Sequence, residues 1–407
     1  MTVETSEAQA RPNSATSRLR GATTYRPEWL SRPILVDVGL TFLVTKILFY
    51  GAMLIAVLAI PKYSGHDYQP WQAPVWSVIA NSWRWDSGWY ASIIQHGYTL
   101  TPGENSIAFF PLFPMLVRIA VGPFSIHWMF VAGVIVTNAA LFFALIAVWL
   151  YAESYGGRPL ARRVLFLLAI FPASFFFSVA YSESVFLLVV AWSLVMLRRG
   201  RFAGAGVAGF FAALTRPPGL YVGIPFVIEA WQQRGSTWPD LARKLSWILL
   251  LPAGLSTFMI YLWWKFGDPF LFLTAQGAWN HGRQSPLSSV IQAIRQIFLA
   301  DGTRIAQFMN VVNTSAGVLA LVLGLALLRR NLAGGLFVLA GVLAPLTFPI
   351  TGAPSISLAR YVVVLFPMFI PLARWAKGKP ALIGLAILFI PLQMLLAGLF
   401  IQWYWVI

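Results

Sequence analysis

Long apolar runs broken by short polar joints dominate this chain, and that pattern leaves few folds open to it. The runs fall at about 34–60, 126–151, 164–180, 185–197, 202–214, 219–231, 246–265, 305–328, 332–350, 361–374 and 381–404. They are continuous, without the period-two alternation of a membrane barrel. With 58% hydrophobic and only 10% charged residues over 407 positions, no soluble domain of this length is expected. The reading is an all-α polytopic membrane protein with about eleven transmembrane helices.

Charge placement gives an expected orientation. Arg11, Arg18, Arg20, Arg26 and Arg32 precede the first run, and Arg158, Arg162, Arg163, Arg198, Arg199, Arg201, Arg329, Arg330, Arg374 and Lys377 lie in alternate joints. By the positive-inside rule these joints and the N-terminus are cytoplasmic. The formal charge of +16 therefore reads as topology, and no nucleic-acid partner is expected because no soluble basic domain exists to carry one. Residues 1–33 read as a disordered cytoplasmic tail and 34–407 as one transmembrane domain with a long outer loop at 61–125. No internal repeat is visible. The absence of Cys excludes a thiol nucleophile, and four scattered His give no zinc pattern. Neither a phosphate-binding Gly-x-x-x-x-Gly-Lys loop nor a Gly-x-Ser-x-Gly elbow occurs.

Against that background the few outward polar groups stand out. The loop 61–125 carries Trp83-Arg84-Trp85-Asp86-Ser87-Gly88-Trp89-Tyr90, one carboxylate among large aromatic rings. A short helix is expected over 86–97, stopped by His96-Gly97. Further on, runs of about 13 residues, roughly 20 Å of helix against a core of about 30 Å, flank Tyr181-Ser182-Glu183-Ser184 and Thr215-Arg216-Pro217-Pro218-Gly219. Glu183 and Arg216 are thus expected below the outer surface, where polar backbone is tolerated only beside protein or a wet cavity, and where an acid and a base are functional candidates. Arg360 lies in a later outer joint, and His281 is a weaker candidate in another. Aromatic faces such as Trp85, Trp89 and Tyr90 stack on sugar rings while Asp86 can take a hydroxyl proton. A buried Arg grips phosphate with two hydrogen bonds. Simpler roles stand beside these: Asp86 as a helix cap, and Glu183 with Arg216 as a structural ion pair.

Together, Trp85-Asp86-x-x-Trp89-Tyr90-x-x-Ile93-x-x-x-Gly97-Tyr98, Phe109-Phe110-Pro111-Leu112-Phe113-Pro114, Tyr181-Ser182-Glu183-Ser184-x-Phe186 and Thr215-Arg216-x-x-Gly219 resemble the motifs of the PIG-V family, the glycosylphosphatidylinositol mannosyltransferase 2 group and its bacterial relatives. The resemblance implies a type C glycosyltransferase (GT-C) fold. It implies transfer of a hexose, mannose first, from a polyprenyl-phosphate sugar to a hydroxyl of an extracytoplasmic glycolipid or glycan, with inversion. An acid of the first outer loop would sit in the active site. On this reading Asp86 is the general base, while Arg216, Glu183, Arg360, Trp85, Trp89, Tyr90 and His281 bind substrate. No cofactor is expected beyond the donor, and no metal, since two Arg groups can meet the leaving phosphate. A multi-pass location in a bacterial plasma membrane, among membrane lipids, follows. The alternative is a lipid or sugar transporter or flippase without covalent chemistry, which would share aromatic cavities and buried charges.

Overall fold

The computed structural model describes residues 31–63, 79–100, 106–235, 237–277, 280–299 and 303–406. The tail expected at 1–33 lies outside the described residues up to residue 30, as do parts of the loop at 61–125. Among the described residues there are sixteen α-helices, and β-structure is limited to isolated bridges such as His281 with Ile350.

The first helix, α1 (Arg32–Ala59), opens on a proline in its first turn, where the missing N–H costs nothing. Leu40, Ile47, Leu54 and Leu58 lie more than half exposed along it, while Val38, Phe49 and Ala56 are buried, so one face meets lipid and the other meets protein. Two short helices follow, α2 (Ser87–His96) and α3 (Leu112–Val121), the first ended by Gly97 at φ 73°. The runs at 126–151 and 164–180 are joined in α4 (Met129–Ile170), which breaks at Gly156 and Gly157, the latter at φ 67°. A left-handed φ is open to glycine without penalty, and Pro159 then starts the second limb. That limb stops at Ile170, ten residues earlier than the run at 164–180 suggests, because Pro172 cannot continue it. A 3₁₀ turn, Ser174–Phe177, and an irregular stretch follow.

The chain then runs through α5 (Glu183–Arg198) and α6 (Phe202–Thr215), a 3₁₀ turn at Pro217–Val222, and α7 (Gly223–Gln232). At 1.5 Å per residue α5–α7 are about 15–24 Å long, short of a hydrocarbon core of about 30 Å. The turn after α6 folds tightly back. A Cβ on Gly219 would sit 2.2 Å from the Ala212 carbonyl, so only glycine fits there.

The remaining helices are α8 (Trp238–Ser246), α9 (Leu250–Phe266), α10 (Leu271–Gln276), α11 (Pro286–Leu299), α12 (Arg304–Leu328), α13 (Leu332–Thr347), α14 (Leu358–Val363), α15 (Phe369–Trp375) and α16 (Lys379–Ile401). The run at 361–374 is thus not one helix. It divides into α14 and α15 around a 3₁₀ turn that contains Pro367, whose ring blocks an uninterrupted helix. Each of the eleven apolar runs contains helix, and among the described residues five helical segments are long and apolar enough to cross a membrane: Arg32–Ala59, Ile126–Ile170, Trp238–Phe266, Arg304–Leu328 and Lys379–Ile401. The chain is a helical membrane protein.

The basic joints meet at one end of the bundle. Asp37 pairs with Arg158 at 2.9 Å and Arg162 at 3.5 Å, Arg374 donates to the Tyr155 carbonyl at 2.7 Å, and Arg198 pairs with Glu229 at 3.3 Å. The loops bearing Asp86, Glu183, Arg216 and Arg360 meet elsewhere. This is the alternation that the charge pattern predicts for a helical bundle with two ends.

Candidate active site

The Trp-rich loop is stitched to the turn before α5. The Ala180 N–H donates to the Ser82 carbonyl at 2.8 Å. Tyr181 Oη donates to the Arg84 carbonyl and accepts from the Asp86 N–H, both at 3.1 Å. Tyr90 Oη donates to Ser182 Oγ at 2.9 Å. Burial pushes the Tyr90 phenol up to about 12, with the Glu183 charge adding to the effect and Arg216 partly offsetting it, so this donor stays protonated. These bonds bring Asp86 beside Glu183, 97 positions along the chain.

Arg360, on the one-and-a-half-turn helix α14, lies between the two acids. Its Nη1 is 2.5 Å from Asp86 Oδ2, and its Nε donates to Glu183 Oε1. The same Glu183 oxygen accepts from Arg216 Nη1 at 2.8 Å. The order is Asp86, Arg360, Glu183, Arg216, with alternating sign and no net formal charge. Tyr181 and Phe176 rings lie 4.4 and 5.4 Å from the Arg360 guanidinium, and Tyr361 lies 5.6 Å from that of Arg216. A guanidinium against aromatic faces is weakly hydrated and well held.

Exposure divides the four groups. The Glu183 side chain is 0% exposed and that of Arg360 5%, whereas Arg216 reaches 16% and Asp86 21%. In this arrangement the ends of the series reach the surface and its middle is covered. Glu183 Oε2 is buried without a hydrogen-bond partner among the described residues. Asp86 occupies the N-cap position of α2, yet its side chain makes no capping bond; the carboxylate goes to Arg360. Glu183 and Arg216 do form the ion pair weighed above, inside a larger network.

Of the other expected site residues, Tyr90 is buried against Phe109 and Phe113, and Trp89 is half-buried with its ring stacked on Phe109 at 6.1 Å. Trp85 meets Trp403 and Trp405 edge-on at 5.5 and 4.8 Å. His281 is exposed and bonds the Phe348 carbonyl at 2.9 Å; the structure does not bring it to the carboxylate–guanidinium network. Trp403 and Trp405 were not singled out from sequence, and Tyr181 and Tyr361 were given no role there. Tyr181 stands in the same motif as Glu183, but nothing local marks a tyrosine as the strut between two distant loops. An open concavity of about 410 Å³ is lined by Gln284, Ser288, Gln292 and Arg295 among others; no network residue borders it, and its surface placement gives it no chemistry comparable to the network.

Residues 68–230 match the profile of the family described as Mannosyltransferase (PIG-V). That span includes Asp86, Glu183 and Arg216 and ends before Arg360. GPI alpha-1,6-mannosyltransferase 2 of Mus musculus is 30% identical over 203 residues, 44% of this chain and 40% of the mouse protein. The Cricetulus griseus protein of the same description is 31% identical over 162 residues, 37% and 32% of the two chains. The matches thus cover less than half the length of these curated relatives. Among solved structures, the Archaeoglobus fulgidus oligosaccharyltransferase aligns with 90% of this chain and 53% of its own, at 11% identity and a TM-score of 0.45. Its apo form gives 91%, 56%, 10% and 0.46.

Proposed function

From residues 68–230, which carry the mannosyltransferase (PIG-V) pattern, we propose that this membrane protein is a type C glycosyltransferase. It moves mannose from polyprenyl-phosphate mannose to a hydroxyl of a glycolipid or glycan on the outer face of a bacterial plasma membrane. One observation carries this reading: a partly open carboxylate, Asp86, shares its guanidinium partner with a buried acid that also holds Arg216. That is an arrangement for a base beside an anion.

Asp86 accepts the proton of the acceptor hydroxyl as its oxygen attacks the anomeric carbon. The new C–O bond forms as the bond from that carbon to the phosphate oxygen breaks, and the lipid phosphate leaves with the electron pair on that oxygen. Attack opposite the leaving group inverts the anomeric centre. Arg216 and Arg360 meet the leaving phosphate, where fixed positive charge counts most. Glu183 is a positioning residue: fully buried, it holds both guanidinia in place.

The resting network has no spare positive charge, so the donor phosphate must compete for it. A carboxylate oxygen engaged at 2.5 Å by a guanidinium is not open to an incoming hydroxyl. When phosphate draws Arg360 toward itself, Asp86 loses that partner and its oxygen becomes free to take a proton. Donor binding therefore precedes productive acceptor binding. The reading is tested with purified protein, radiolabelled polyprenyl-phosphate mannose and a membrane-lipid extract, with products identified by mass. A new mannosylated lipid is expected. Movement of the donor across a vesicle bilayer with no covalent product would overturn the reading in favour of a flippase.

A further inference from the structure

The segment after α16 lies against the loop that presents Asp86. Arg84, buried, donates from Nε to the Ile401 carbonyl at 3.2 Å, and its guanidinium lies 4.8 Å from the Trp403 ring. Gln402 donates to the Ala56 carbonyl at 2.8 Å and accepts from the Tyr63 N–H at 3.0 Å. On this support Trp85 meets Trp403 at 5.5 Å and Trp405 at 4.8 Å, the latter pair perpendicular at 90°. Trp405 remains 46% exposed, and Trp85 is the residue next to Asp86.

The backbone here is strained. Four non-glycine residues among those described have positive φ: Trp85 at 53°, Asn280 at 55°, Ser357 at 61° and Trp403 at 66°. Two are the tryptophans in contact, and Ser357 lies three residues before Arg360. A bulky residue held in the left-handed region is costly and persists where surrounding contacts enforce it, as at active sites, ligand clamps and switch regions. Burying apolar area requires no such geometry; aiming particular rings does.

We propose that Trp405, held edge-on against Trp85 and braced through it by Trp403 and Arg84, presents a stacking face for the pyranose ring of a glycosidic acceptor. This rests on Asp86 being the base. A pyranose has an apolar CH face that stacks on indole and a rim of hydroxyls, one of which would turn toward Asp86. Among the glycolipid and glycan acceptors proposed above, this favours those that present a pyranose face to Trp405; a plain alcohol has none.

The test reads binding without turnover. Protein in lipid nanodiscs free of sugar-headed detergent is probed by saturation-transfer NMR with methyl α-D-mannopyranoside, and with mannitol as an open-chain polyol control. Saturation of the CH protons of one ring face is expected, with little signal from mannitol. Trp405→Ala should cut the mannoside signal by about three- to tenfold, as loss of one aromatic contact implies, while Trp405→Phe retains most of it. Trp405→Leu, which keeps apolar volume without a ring, carries the same expectation as Ala where the Ala variant folds poorly. An undiminished signal in Trp405→Ala or Trp405→Leu, or equal signals for mannoside and mannitol, overturns the stacking face and leaves Trp405 as a headgroup-belt residue. A protein that transfers mannose normally with such a result loses only this inference; one that binds the mannoside on Trp405 but never cleaves the donor loses the transferase reading instead.

Discussion

A single guanidinium, that of Arg360, touches both carboxylates, and substitutions at the two acids should therefore have unlike signatures. Asp86→Asn removes the base while keeping its shape, so transfer should fall by about 10²–10⁴-fold. It also removes a competitor for Arg360, so polyprenyl phosphate, titrated by equilibrium binding, should bind more tightly than to wild type. A loss of transfer accompanied by equally weakened phosphate binding would make Asp86 a structural acid instead. Glu183→Gln leaves the buried Arg360 and the half-buried Arg216 without their shared counter-charge, which should lower stability by about 3 kcal/mol in thermal or denaturant unfolding. Its affinity for polyprenyl phosphate should nonetheless rise, because the network gains net positive charge. Arg216→Ala should raise the KM for donor; an unchanged KM would assign Arg216 to the ion pair alone.

At the scale of elements, the site is made by helices that stop early. α5, α6 and α7 are too short to span a bilayer upright, and their turns carry Glu183 and Arg216. The short helices were legible in the sequence, because polar joints carrying Glu183 and Arg216 interrupt the apolar runs after about 13 residues. The break of the run at 361–374 was less legible, since one internal proline is tolerated in many membrane helices. The contact of Arg360 with Asp86, 274 residues apart, had no sequence signal at all. Neither did Trp403 and Trp405, since aromatics at the end of an apolar run are the common membrane belt. The turn after α6 gives a sharp test. Gly219→Ala places a methyl against the Ala212 carbonyl, so the turn must open and Arg216 must leave Glu183. Donor KM should increase as in Arg216→Ala although no charge has been altered. Wild-type kinetics in Gly219→Ala would mean that the turn does not set the position of Arg216.

At the scale of the whole molecule, the separation of a basic end from the carboxylate–guanidinium end makes the side that the proposed site faces open to direct test. Asp37 with Arg158 and Arg162, and Arg198 with Glu229, gather near the joints that the positive-inside rule assigns to the cytoplasm. Arg243 of α8 is exposed beside those joints. Ser288 of α11 is also exposed, and α11 is tied by Gln296 to the Gly352 carbonyl, in the stretch that leads to Arg360. The chain contains no cysteine, so single-cysteine variants report topology against a silent background. In intact cells a membrane-impermeant maleimide should label Ser288→Cys, and Arg243→Cys should react only after permeabilisation. That result would put Asp86 on the outer side, the side on which the proposed lipid-linked donor would have to be presented. The reverse labelling would put the same network on the cytoplasmic side, where nucleotide sugars are available, and the case for a polyprenyl-phosphate donor would lose its topological basis.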